Sequence, residues 1–187
     1  MYRVPFKYSN QDPNPYFVHV PTYHFVRQPV YSTFLNDAYP NDFLQSLKGR
    51  NRLNLKDYGP EPFVVNINEA SKQNKTYRTA LWTGNHLQVT LMSLKIGEDI
   101  GLEIHPHLDQ FFRIEQGQGM IKMGKRKDYL NVVRRISDDT AIMIPAGTWH
   151  NIINTGNIPL RLYSIYAPPQ HPHGTVHVTK SDAMEAE

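Results

Sequence analysis

The chain has 187 residues, of which 40% are hydrophobic and 20% are charged, a composition typical of one soluble globular domain. Its formal net charge is only +3 and its basic residues are scattered, so no nucleic-acid partner is expected. The absence of cysteine excludes disulfides, thiolate nucleophiles and cysteine metal ligands. The absence of a long apolar run or an apolar leader predicts a cytoplasmic protein with no membrane partner.

Residues 1–62 are predicted to form an extended N-terminal arm, because Pro, Asn and Gly interrupt every regular period there, as in "NQDPNPY" and "YGPEP". One short helix is predicted in the arm, with its start at Asn41 or Asp42. The many aromatic side chains would be costly to leave in water. The arm is therefore expected to pack on the barrel or on a neighbouring subunit.

From Phe63 the sequence changes to short runs rich in β-branched and aromatic residues, each ending at Gly, Pro, Asn or a charged turn. In chain order the predicted strands are "PFVVNI", "TYRTALWTG", "HLQVTLMSLKIG", "LEIHPH", "QFFRIEQG", "GMIKMG", "VVRRIS", "TAIMIPAG", "HNIINTG" and "PLRLYSIYAPP". Strands so short and so closely spaced predict an all-β sandwich or barrel over residues 63–169. The polar tail over 170–187 ends in a predicted short helix that Ser181 or Asp182 can cap.

The run "GLEIHPHLDQFFRIEQGQG", residues 101–119, holds the first group of candidate metal ligands. Alternate side chains of a strand share a face, so Glu103, His105 and also His107 can point into a barrel together. Inward donors at adjoining strand ends suit a hard or borderline divalent ion. A distant strand supplies a further donor, because the turn in "IPAGTWHN" places His150 at the start of the next strand.

These two segments resemble the two motifs of the cupin superfamily, G-x5-H-x-H-x4-E-x6-G and G-x5-P-x-G-x2-H-x3-N. The second motif matches at Pro145, Gly147, His150 and Asn154, and Asp139 stands at the place of its first glycine. The resemblance implies a single double-stranded β-helix, or jelly-roll, barrel of about six to eight strands. The extended N-terminal arm and the short C-terminal helical tail lie outside the motifs.

The first motif fits in one register, which begins at Gly97 and closes at Gly117. The alternative register takes His105 and His107 as the histidine pair and puts Phe112 at the carboxylate position, where it cannot bind a metal. The first register therefore implies four metal ligands, which are Glu103, His105, Gln110 and His150.

This ligand set combines two imidazoles, one carboxylate and one amide, so its charge is minus one, as in the usual cupin set. It implies one divalent metal ion, with Fe, Mn or Zn preferred and Ni or Co also compatible. The remaining coordination positions would be open to water or substrate.

Two further histidines are candidates for proton transfer. His107 is the predicted catalytic group, a general acid or base near neutral pH, and the alternatives are a partner for a metal ligand or a plain surface histidine. His171 follows the last predicted strand, and a tail that crosses the barrel mouth would bring it near the ligands. Arg78, Arg113 and Arg161 lie on predicted strands, and any of them that faces the interior would indicate an anionic substrate.

Two functions follow from the resemblance. The first is a metalloenzyme that acts on a small oxygen-bearing metabolite by dioxygenase- or isomerase-type chemistry. The second is a non-enzymatic cupin that binds a small ligand or uses its metal structurally. A homodimer is the expected assembly, because such barrels often bury a sheet face in this way.

Overall fold

The structure is a computed structural model that describes residues 52–186. This part of the chain contains two antiparallel sheets and two short helices, and neither helix is long and apolar enough to cross a membrane. In chain order the elements are α1 (Ile67–Gln73), β1 (Arg78–Thr83), β2 (Gln88–Leu94), β3 (Asp109–Gln116), β4 (Gln118–Gly124), β5 (Val132–Ser137), β6 (Ala141–Ile144), β7 (Trp149–Asn154), β8 (Leu160–Ala167), β9 (Val176–His177) and α2 (Lys180–Ala186). The predicted all-β architecture is confirmed. Most of the predicted arm, including the helix predicted to start at Asn41 or Asp42, lies outside the described residues.

The strand order places residues from distant parts of the sequence side by side. Six strands form the larger sheet, in the order β6-β3-β8-β2-β1-β9, and three form the smaller sheet, in the order β5-β4-β7. The segment before β3 joins β7 through two isolated bridges, Asp99 with Ile153 and Glu103 with His150. The two motifs of the sequence therefore meet at the free edge of the smaller sheet.

The cross-strand register divides the barrel interior into two ends. At one end Tyr166 of β8 lies between Gln88 of β2 and Gln110 of β3, and in the next layer Ser164 pairs with Thr90. We call this the polar end, and it also contains Glu103, His105 and His150. The following layers form the apolar end, whose buried side chains are Met92, Leu94, Ile114, Ile121, Ile136, Ile152, Leu160 and Leu162.

The outer face of the larger sheet is covered by the chain that precedes it. Leu53, Leu55 and Tyr58 pack there with residues of 63–67 on a small core around Leu91. The strand predicted from "PFVVNI" is wrong, because this segment pairs with none of the described strands and leads into α1. The side chain of Asn66 accepts a hydrogen bond from the Glu69 amide (3.2 Å) and so caps the helix. The pattern Asn-x-x-Glu, a capping-box spacing, is the local signal that predicts this helix.

The tail returns to the barrel instead of extending away from it. Val176 and His177 form β9, which pairs with β1 at the edge of the larger sheet. The predicted tail helix is confirmed, but its predicted cap is wrong. The Thr179 amide donates to Asp182 Oδ2 (2.9 Å) and the Asp182 amide donates to Thr179 Oγ1 (3.3 Å), so Thr179 is the capping residue.

The turns of the two motifs adopt the left-handed backbone conformation that glycine favours. Gly97, Gly117 and Gly147 have φ of 77°, 98° and 70°. Asp139, at the motif place of a glycine, has φ of 67°. Aspartate tolerates this conformation better than most residues, so the turn keeps its shape with Asp139 in place of the motif glycine.

Candidate metal centre

Glu103, His105 and His150 bring one ligand atom each to a common point at the polar end. These three atoms lie within 4.8 Å of one another. Nε2 of His150 lies 3.1 Å from Oε1 of Glu103, and Nε2 of His105 lies 3.4 Å from the same oxygen. Three of the four predicted ligands therefore meet in the folded chain.

Backbone hydrogen bonds between the two motifs hold this group in place. The amide of Glu103 donates to the carbonyl of His150, and the amide of His150 donates to the carbonyl of Glu103, both at 3.0 Å. The amide of Gly147 donates to the carbonyl of His105 (2.9 Å). Because hydrogen bonds join the backbones that carry these side chains, the fold fixes the distances between the candidate ligands without an ion.

The imidazole of His150 is oriented for metal binding. Its Nδ1 lies 2.9 Å from the carbonyl oxygen of Thr148, which can only accept, so Nδ1 carries a proton and donates it. In the neutral ring Nε2 then presents a lone pair toward the carboxylate of Glu103. Two acceptor atoms 3.1 Å apart require a shared cation, which is either a proton or a metal ion.

The fourth predicted ligand, Gln110, has a buried carbonyl oxygen that accepts no hydrogen bond from residues 52–186. Its amide nitrogen donates to Ser164 Oγ (3.1 Å), which fixes the orientation of the side chain. Within the described part of the chain, Oε1 of the same amide lacks a hydrogen-bond partner, although the residue is only 3% exposed. An unpartnered buried oxygen costs free energy, and a metal ion would remove that cost.

The carboxyl of Glu103 is held ionised. Burial alone would raise its pKa, but the neighbouring imidazoles of His105 and His150 outweigh that effect and lower the pKa to about 2. At neutral pH the group presents a full negative charge beside two imidazole nitrogens. Such a carboxylate is available to a cation at all physiological pH values.

The donor set and its spacing fit a divalent ion. Metal to nitrogen and metal to oxygen bonds of about 2.0–2.2 Å place neighbouring donors roughly 3–3.5 Å apart. The separations of 3.1 Å and 3.4 Å around Glu103 Oε1 fall in this interval. Two imidazoles with one carboxylate are the donor set of many Fe(II) and Zn(II) sites.

The other predicted histidines lie in different surroundings. His107 is exposed in the turn before β3, and it is not a member of the three-residue group. His171 is half-buried, and its ring contacts Tyr166 edge-on at 5.1 Å between centroids, while Tyr166 in turn lies 5.7 Å from His105. The tail therefore does bring His171 near the ligands.

Sequence reasoning missed several polar residues that share the interior with the ligands. Thr90, Ser164 and Tyr166 lie at the polar end and are nearly fully buried. Motif Asn154 serves the fold, because its side-chain amide donates to the backbone carbonyls of Leu94, Lys95 and Ile158. The sequence signal that could have found Ser164 and Tyr166 is the alternation of side chains along β8. Leu160 and Leu162 face the barrel interior, and Ser164 and Tyr166 occupy the next two inward positions.

Comparisons with known proteins agree with this architecture. The Cupin domain family profile matches residues 90–166. Over 176 residues the chain is 65% identical to the uncharacterized protein YrkC of Bacillus subtilis (strain 168), a match that covers 92% of this chain and 94% of the relative. The chain belongs to the cupin superfamily. The jelly-roll barrel implied by the two motifs is thus confirmed for this cupin.

A solved structure resembles this cupin closely. The crystal structure of BH2720 from Bacillus halodurans shares 67% sequence identity with it and superposes with a TM-score of 0.69. The match covers 70% of this chain and 98% of that chain. Neither name states a reaction, so the function of this cupin has to be argued from its own site.

Proposed function

We propose that this cupin is a metalloenzyme in which one divalent ion binds and activates a small oxygen-bearing metabolite. The proposed ligands are Glu103, His105, Gln110 and His150. The observation that supports the proposal most directly is the approach of two imidazole nitrogens to one carboxylate oxygen, at 3.1 Å and 3.4 Å. One carboxylate and two imidazoles that converge in this way suit a divalent cation.

The donor set favours Fe, Mn or Zn and also accommodates Ni or Co. When bound, such an ion supplies Lewis acidity or, in the case of Fe(II), a centre for dioxygen activation. Four protein donors would leave about two positions of an octahedral ion for water and substrate. Those open positions distinguish a catalytic site from a structural one.

The chain's own side chains have separate parts in this proposal. Glu103 supplies the negative charge, and the Thr148 carbonyl keeps Nε2 of His150 available. Ser164 turns the amide of Gln110 so that its oxygen remains available. His107, exposed in the turn before β3, is proposed to move protons between bulk water and the site.

His171 is suited to hydrogen bonding and not to proton storage. Burial, together with the charge of Arg78, lowers the pKa of its imidazole to about 3. The ring is therefore neutral at physiological pH. The homodimer expected from the sequence stays a prediction.

The experiment that tests the proposal is metal analysis of protein purified without a polyhistidine tag. We expect about one equivalent of Fe, Mn or Zn per chain in the wild type. Glu103→Ala and His150→Ala should each lose it. His107→Ala is the matched control, because it removes a neighbouring imidazole that the first register leaves out of the ligand set.

The outcomes separate the functions that the sequence left open. Loss of metal in His107→Ala with retention in Glu103→Ala would overturn the ligand assignment. A bound ion whose coordination spectrum does not respond to any added small oxygen ligand would favour a structural metal and the non-enzymatic alternative. Failure of the wild type to take up any ion would overturn the proposal as a whole.

A further inference from the structure

The loop that follows β8 lies at the rim of the polar end and carries one side chain inward. We call residues 168–174 the rim loop. The ring of His171 contacts Tyr166 edge-on, with 5.1 Å between centroids, and the ring of Tyr166 lies 5.7 Å from that of His105, a candidate metal ligand. Nε2 of His171 is inaccessible to water, although most of the loop around it is exposed. The rim loop therefore covers the polar end one ring away from the candidate metal centre.

A buried glutamine holds the rim loop by its backbone. Gln88 of β2 is 0% exposed and pairs across the sheet with Tyr166. Its Oε1 accepts a hydrogen bond from the His171 amide (3.0 Å), and its Nε2 donates to the His171 carbonyl (2.9 Å). We call these two bonds the Gln88 clamp. The clamp fixes the rim loop at the strand position where the polar end begins.

The other contacts of the rim loop are polar and lie near the surface. The Gly174 amide donates to Asp57 Oδ2 (3.0 Å), and Nε2 of His173 lies 3.0 Å from the carbonyl oxygen of Gly59. Within residues 52–186, neither hydrophobic core cluster includes a residue of the rim loop. A segment that is held by hydrogen bonds near solvent opens at a lower free energy than a strand of the core. The rim loop can therefore open while the strands stay folded.

The closed rim loop keeps candidate ligand atoms away from solvent. Nε2 of His105 and Oε1 of Gln110 are inaccessible to water, and the side chain of His150 is completely buried. An ion or a substrate reaches these atoms only if a neighbouring segment moves aside. The segment before β3 is less suited to that movement, because it carries Glu103 and His105 and its opening would separate the ligands themselves.

We propose that the rim loop is a gate to the metal centre and that Gln88 is the positioning residue that keeps the gate closed. This inference rests on the proposed function, since a gate matters only for a site that takes up an ion and a ligand. Opening breaks the Gln88 clamp and leaves the four proposed metal ligands in place. The gate therefore controls how fast an ion enters and leaves the site, and not how tightly the ligands hold it.

The exchange of Zn(II) with a chelator tests the gate. Gln88→Leu keeps a side chain of similar size and loses both bonds of the clamp, so the open loop should become at least about tenfold more populated. Uptake and release of Zn(II) should both accelerate by about that factor, and the affinity, which is the ratio of the two rates, should stay within about twofold. Gln73→Leu is the matched control, because Gln73 bonds to the backbone amide and carbonyl of Leu53 in the same way on the outer face of the sheet.

The rates of the two variants decide the proposal. Release that is no faster in Gln88→Leu than in the wild type would overturn the gate, as would an equal acceleration in Gln73→Leu. A weaker affinity with an unchanged uptake rate would mean that Gln88 shapes the ligand set, and it would also overturn the gate. If Gln88→Leu does not fold, Gln88→Asn replaces it, because its amide is one methylene too short to make both bonds.

Amide hydrogen exchange gives a second measurement that needs no metal. The Gly174 amide donates to Asp57 and not to Gln88, so it reports whether the loop opens as one unit. In Gln88→Leu its exchange should accelerate at least about tenfold, while the amides of β3 and β8 keep their rates. An unchanged rate at Gly174, or faster exchange throughout the barrel, would overturn the gate. If the wild type takes up no ion, the proposed function fails, and the exchange at Gly174 alone decides whether the rim loop opens the polar end.

Discussion

The polar end and the apolar end of the barrel interior are built on the same strands, yet their energetics are opposite. In β8, Leu160 and Leu162 face inward at the apolar end, and Ser164 and Tyr166 face inward at the polar end, all of them at most 1% exposed. Buried leucines gain about 25 cal/mol for each Å² of apolar surface removed from water. Buried polar groups gain nothing unless they find partners, and several at the polar end have none among the described residues. One end therefore stabilises the barrel, and the other carries the residues of the proposed metal site.

The largest expected effect on folding lies at the apolar end. Leu162→Ala removes a fully buried side chain and leaves a cavity, so we expect it to lower the free energy of unfolding by about 2–5 kcal/mol. Denaturant unfolding of the metal-free protein measures this loss. Metal content per folded chain should be unchanged. A decrease in the free energy of unfolding of less than about 1 kcal/mol would mean that the apolar end does not stabilise the barrel more than the polar end does.

The largest expected effect on metal binding lies at the polar end. Glu103→Ala removes the carboxylate that both imidazoles approach, so metal affinity should fall by more than about 100-fold. Its effect on the metal-free protein should be much smaller than that of Leu162→Ala, because the variant also removes a buried charge. Competition with a chelator measures the affinity, and thermal unfolding without metal measures the stability. If Glu103→Ala destabilised the metal-free protein as much as Leu162→Ala does, the polar and apolar ends would not differ in their contribution to stability.

The rim of the polar end depends on Asp57, which joins the segment before α1 to the loop that follows β8. Its carboxylate accepts hydrogen bonds from Thr83 Oγ1 (2.6 Å) and from the amides of Gly59 and Gly174 (both 3.0 Å). Asp57→Asn at neutral pH should lower the free energy of unfolding by about 1–3 kcal/mol, because charge-assisted bonds are lost. Urea unfolding of the two proteins side by side gives the difference.

The pH dependence of that difference follows from the pKa of Asp57. Burial would raise this pKa, but the hydrogen bonds from Thr83, Gly174 and Gly59 lower it below its ordinary value. A lowered pKa in the folded state gives stability that is complete above the unfolded pKa, about 4, and is lost as pH falls through the folded pKa. The wild type and Asp57→Asn should therefore converge in stability in acid. A difference that stays constant down to pH 3 would contradict the assignment.

The smallest expected effect has the opposite sign. Thr90→Val replaces a buried hydroxyl, which has no partner among the described residues, with a methyl group of similar size, so the metal-free protein should gain up to about 1 kcal/mol. Thermal unfolding measures the gain, and Thr79→Val, on the other face of the same sheet, is the control because Thr79 Oγ1 has a partner in Thr76 (2.5 Å). A loss of stability in Thr90→Val would show that the hydroxyl has a partner that stabilises the free protein.

Much of the barrel could be predicted from the sequence because the relevant signals are local. Short β-branched runs between turn residues predicted most of the strands, and the glycines at motif positions predicted the turns. The helix α1 was not predicted, and a strand was predicted wrongly in its place, because "PFVVNI" has the composition of a strand while Asn66 caps a helix in the residues that follow. β9 was not predicted, because two residues form a strand only when β1 is beside them.

The candidate site could be predicted in its composition but not in its arrangement. The motif spacing named Glu103, His105 and His150, and the folded chain brings these three together. The same spacing could not place Arg78, because alternation predicts which residues share a face and not which face is inside. The bulge in β1 between Ala80 and Trp82 also interrupts that alternation further along the strand.

The sequence by itself therefore determined that this chain is a cupin and which donor atoms it carries, since turns and two-residue periodicity depend on neighbouring residues alone. The tertiary structure decided which of those donors meet. Glu103 and His150 are paired across 47 positions, and Gln110 and Ser164 across 54. Such contacts depend on sheet order and register, which arise from the packing of the whole interior. The same packing buried Arg78 and left His107 exposed.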